Sequence, residues 1–134
     1  MLKSPLYSFL TLSFVMLVVS VAQAKDLPTT PLYTPEKIQA TSGTPAEQVK
    51  RAVRKAMYLK DWQIREVGPG QLQGQFKKGE KYAIVVDVKY DAKTVSIGYK
   101  DSSGLNYGDG SIHKTYNGWV RNLEKNIRAN LGAY

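Results

Sequence analysis

Three runs decide the fold: Gln71-Leu72-Gln73-Gly74-Gln75-Phe76, Tyr82-Ala83-Ile84-Val85-Val86-Asp87-Val88-Lys89-Tyr90 and Thr94-Val95-Ser96-Ile97-Gly98-Tyr99. In each, one set of alternate positions is strongly apolar and the other is largely polar or small. Successive side chains of an extended chain point to opposite faces, so each run reads as a strand with one face in a core. Turn sequences at Lys78-Gly79 and Asp91-Ala92-Lys93 separate them, and connections this short join antiparallel neighbours. Upstream, Trp62 and Ile64 alternate with Gln63 and Arg65 until Gly68-Pro69-Gly70, which adds a fourth strand.

The flanks follow the helical period instead. Thr44-Pro45-Ala46-Glu47 combines a capping residue, a proline suited to the first helical position and a glutamate placed for a capping box. Behind it, Ala46, Val49, Val53, Ala56 and Met57 share one stripe, Lys50, Arg51, Arg54 and Lys55 lie opposite, and the helix should stop near Lys60-Asp61. After a polar loop from Asp101 to His113, one side of a second helix carries Tyr116, Trp119, Val120, Leu123, Ile127 and Leu131, and Gly132 suits its C-terminal cap. The order α-β-β-β-β-α predicts an α+β two-layer sandwich over residues 44–134, a four-stranded antiparallel meander with both helices on one face.

The N-terminal end gives an address. Lys3 is followed by no charge from Ser4 to Ala24, and an apolar run from Phe9 to Val19 leads to Ala22-Gln23-Ala24. That is the pattern of a cleavable secretory signal peptide, cut after Ala24. An uncleaved anchor is the alternative, since the run approaches the roughly 20 residues that span a bilayer. Residues 25–43, with Pro28, Pro31, Pro35 and several threonines, read as a flexible tether. There is no cysteine, so the exported domain must be held by packing without disulfides. The formal net charge of +8 is spread over helices and strands rather than gathered on one arm, which argues against a nucleic-acid partner. Weak attraction to an anionic envelope component remains, with Lys50, Arg51, Arg54 and Lys55 as its candidate contacts.

Tyr99-Lys100-Asp101-Ser102-Ser103-Gly104-Leu105-Asn106-Tyr107, with Ile112-His113-Lys114-Thr115-Tyr116-Asn117-Gly118-Trp119 and Asn122-Leu123 behind it, resembles a family of small Gram-negative envelope proteins. The upstream helix and strands are similar in order, so the resemblance covers roughly residues 44 to 130, one domain. Many members look like lipoproteins with a cysteine after the signal. The absence of that cysteine here favours a soluble periplasmic form. The family has no assigned activity, so the resemblance implies fold and compartment and no reaction.

Chemistry in the residues themselves is sparse. His113 is the one histidine, so a hydrolase would centre on it and the 101–113 loop, yet no nucleophile-elbow pattern surrounds any serine. Asp101, Asn106, Asp109 and His113 offer too few nitrogen ligands for zinc and miss the calcium-loop spacing. Asp109-Gly110 is explained by a turn. Gly74 to Gly79 has P-loop glycine spacing, but it lies between strands and Glu80 stands where the lysine should be. No cofactor or metal is expected. The sequence therefore points to a binding module of the envelope, not an enzyme, whose partner is an envelope protein or an anionic envelope component, with Asp101, Asn106, Tyr107 and His113 as its partner contacts. A purely structural role is the remaining alternative. Trp62 and Trp119 fall within apolar periods and read as core.

Overall fold

The computed structural model describes residues 28–132; the signal segment 1–24 and its cleavage point lie outside them. Within them the chain forms β1 (Thr29–Pro31), β2 (Ile38–Gln39), α1 (Ala46–Leu59), β3 (Gln63–Gly68), β4 (Gln71–Lys78), β5 (Tyr82–Tyr90), β6 (Thr94–Ser103), β7 (Ser111–His113) and α2 (Lys114–Leu131). The architecture is α+β. Its main sheet is antiparallel and five-stranded, in the order β2-β6-β5-β4-β3, and β1 pairs with β7 in a separate two-stranded sheet.

Register explains the core. Leu72 lies opposite Val88, which lies opposite Ile97, and four residues away along β4 and β5 Phe76 lies opposite Ile84. These rows share a buried cluster with Val49, Val53, Ala56 and Met57 of α1 and Tyr116, Val120, Leu123 and Ile127 of α2. Removing each such side chain from water contributes about 1.5–3 kcal/mol, enough to fix the pairing against a one-residue slip. Gly74 has its own reason: a Cβ there would run into Met57 and press on Trp62.

Four expectations need correcting. The tether 25–43 is ordered over its described part, and Ile38 is fully buried in the core. Thr29, Thr30 and Pro31 pair with His113, Ile112 and Ser111. Asn117, the buried polar residue of α2 at 6% exposure, accepts the Tyr33 amide at 2.9 Å and donates to Thr30 Oγ1 and Pro31 O. Tyr33 also donates its hydroxyl to Glu124 and lies under the Arg121 guanidinium, 4.1 Å from the ring centre. Nearby, the capping box does not form: Pro45 takes the N-cap position of α1 with no side-chain cap, and Ala46 is exposed.

The third correction shortens the 101–113 loop. β6 continues to Ser103 across a bulge at Lys100, where Val86 faces Tyr99 but Val85 faces Asp101. The extra residue resets the alternation, so the polar end of the strand looks like loop in the sequence. The fourth concerns Trp119, which is only half-buried, packed against Phe76 with ring centres 4.9 Å apart.

Candidate functional site

Of the four loop residues expected to bind a partner, Asp101, Tyr107 and His113 each make contacts within the fold. Asp101 lies opposite Val85, on the sheet face away from the core, and its carboxylate accepts the Ser102 amide at 2.8 Å. Asn106 and Asp109 both take positive φ, at 51° and 52°. Gly108 and Ser111 exchange both backbone hydrogen bonds around Asp109-Gly110, whose two positive φ values make a tight hairpin turn. Leu105 is buried and its carbonyl accepts the His113 amide. Tyr107 stacks on Tyr99 at 4.1 Å and 20°, and Tyr99 meets Tyr116 edge-on. Burial pushes the Tyr99 and Tyr116 hydroxyls up. Tyr107 remains 48% exposed.

His113 has a defined task. Its Nδ1 accepts the Thr115 amide at 3.1 Å, capping α2. In the neutral ring that places the proton on Nε2, so the lone pair a general base would need is already engaged. Among the described residues, no three of His, Cys, Asp or Glu come together as a metal group would require.

The basic face of α1 is partly neutralised. Lys50 and Arg54 both reach Glu66 Oε1 of β3, at 2.8 and 3.1 Å. The hydrogen bond from Lys50 holds the Glu66 carboxyl below its ordinary range and raises the lysine. Arg51 and Lys55 stay exposed.

A different place gathers aromatic and polar side chains. A cleft of about 270 Å³ is lined by Leu59, Lys60, Asp61, Trp62, Phe76, Trp119 and Asn122. Trp62 and Phe76 lie 5.4 Å apart, and Phe76 bridges to Trp119. The end of α1 builds its wall. Trp62 N donates to Met57 O and Asp61 N to Tyr58 O, closing the helix as a Schellman motif with Asp61 in its left-handed position, at φ 65°. This closure turns Trp62 inward over Gly74 and leaves Tyr58 and Leu59 75% and 55% exposed. Asn122 follows Trp119 by one turn of α2 and so shares its face. Sequence reading placed both tryptophans in the core because each lies in an apolar period, and nothing in that period shows that this end is open.

No protein-family model matches the chain, and no curated protein matches it.

Proposed function

We propose that this chain is a small exported domain that works by binding in the periplasm, reached through a signal peptide cut after Ala24. The architecture we infer is a two-layer one, four meander strands plus the β2 edge with both helices on one face. The recognition surface is the cleft between α1, β4 and α2. The observation that carries this reading is the Trp62–Phe76–Trp119 cluster, open at Trp119 and flanked by exposed Tyr58 and Leu59. Aromatic residues partly open to water, with a polar rim, have the composition of interface hot spots.

The 101–113 loop is the rival surface. Tyr107 is exposed enough to touch a partner, but its stack on Tyr99 supports a role in tying the loop down. Crosslinked pull-down from the intact envelope separates the two. Trp119→Ala should lose the partner while Tyr107→Ala retains it, both compared as folded protein. The reverse pattern would move recognition to the loop.

A further inference from the structure

We propose that the cleft takes one pyranose ring of a neutral saccharide; this rests on the cleft being the recognition surface and names its ligand. At about 270 Å³ it falls just below the roughly 300–1,000 Å³ of pockets for drug-sized ligands, a size for a single ring. Its floor is aromatic, and the C–H face of a pyranose packs on such rings, whose faces are electron-rich. Its rim is polar in a particular way. Asp61 offers a carboxylate acceptor, Asn122 an amide with both donor and acceptor atoms, and Lys60 a donor. Adjacent sugar hydroxyls both donate and accept, so they match this mixed set. Lys60 and Asp61 cancel in charge, so the cleft does not demand an ionic ligand. A purely apolar occupant would desolvate Asp61 and Asn122 without giving them partners, which is costly.

The backbone gives an independent reason. The residue in the left-handed position of a Schellman motif is usually glycine, because a Cβ is disfavoured there. Asp61 holds that position at φ 65°. Among the described residues its carboxylate joins no ion pair, so no structural bond offsets the strain. Glycine would fit this position at lower cost, and the aspartate places a carboxylate among the lining residues of the cleft.

Both tryptophans of the chain line the cleft, so intrinsic fluorescence reports on it directly. The purified protein would be titrated with glucose, N-acetylglucosamine and their β-1,4-linked disaccharides. A saturable change in tryptophan emission is expected with at least one of them. Asn122→Ala and Asp61→Gly should each weaken it by about tenfold or more, the loss of one hydrogen bond to a charged or well-placed polar group. Asp61→Gly should at the same time raise the melting midpoint. No saturable change with any of the sugars, or equal binding by both variants, overturns the proposal. If partner capture depends on Trp119 while every sugar is silent, the recognition surface stands and the saccharide falls. If both fail, both readings fall.

Discussion

Asn117→Ala should be among the most damaging single changes outside the apolar core. The side chain is 6% exposed and makes three hydrogen bonds of 2.9–3.0 Å, all to the segment from Thr30 to Tyr33. Alanine removes all three and leaves the Tyr33 amide and the Pro31 carbonyl without their partner. A net hydrogen bond contributes about 1 kcal/mol, and a buried group left unsatisfied costs about 1–3 kcal/mol. Water can reach part of this segment, so the sum comes to about 3 kcal/mol, a fall on the order of 10 °C in Tm for a domain this size. Urea unfolding should show a lower midpoint with an unchanged slope, because the native core is the same. Amide exchange should quicken at Leu32 and Tyr33 in the folded protein, showing that the segment peels away from α2. A midpoint shift no larger than that of a substitution at exposed Lys125 would refute the claim that residues 28–33 are part of the domain.

Other outcomes follow from the same geometry. Gly104→Ala places a Cβ against the Lys81 carbonyl at φ 78°, and should cost about 3 kcal/mol in urea unfolding from strain and clash together. His113→Ala removes the α2 cap and should cost about 1 kcal/mol, while His113→Asn, which can still accept the Thr115 amide, should recover most of it. Asp91 accepts the Lys93 and Thr94 amides, and those bonds hold its carboxyl below the ordinary value near 3.8. Its folded pKa is the lower one, so its contribution is present above the unfolded value and lost as pH falls through the folded value. Asp91→Asn should therefore flatten the acid side of the stability–pH curve, measured by urea midpoints, and leave the alkaline side alone.

The strands that carry the core were legible because their alternation is local. Ile84, Val86 and Val88 announce a buried face without reference to any other segment, and Val49, Val53 and Met57 do the same at helical spacing. What was hidden depends on contacts between distant residues. β2 is two residues long, too short to show a period, and Thr29 pairs with His113 across most of the domain. Prolines 28, 31 and 35 suggested an extended linker, and Pro31 does lie in the short strand β1. Leu32, Tyr33 and Ile38 were the sign that it is pinned. Lys100 concealed the end of β6, because a bulge inverts the pattern that identifies a strand. Of the candidate site residues, His113 proves to cap α2, and the cleft could not be read. Trp62, Phe76 and Trp119 come from three elements, and only the packed structure shows that their cluster is left open at one end.

The central claim is that this domain recognises its partner through the cleft. The most direct measurement replaces single residues with a photo-crosslinking side chain in exporting cells: Leu59 at the cleft, Tyr107 on the loop and Lys93 on a turn away from both. The account predicts an adduct from Leu59 that Asn122→Ala diminishes, and none from Tyr107 or Lys93. An adduct from Tyr107 with none from Leu59 would contradict it.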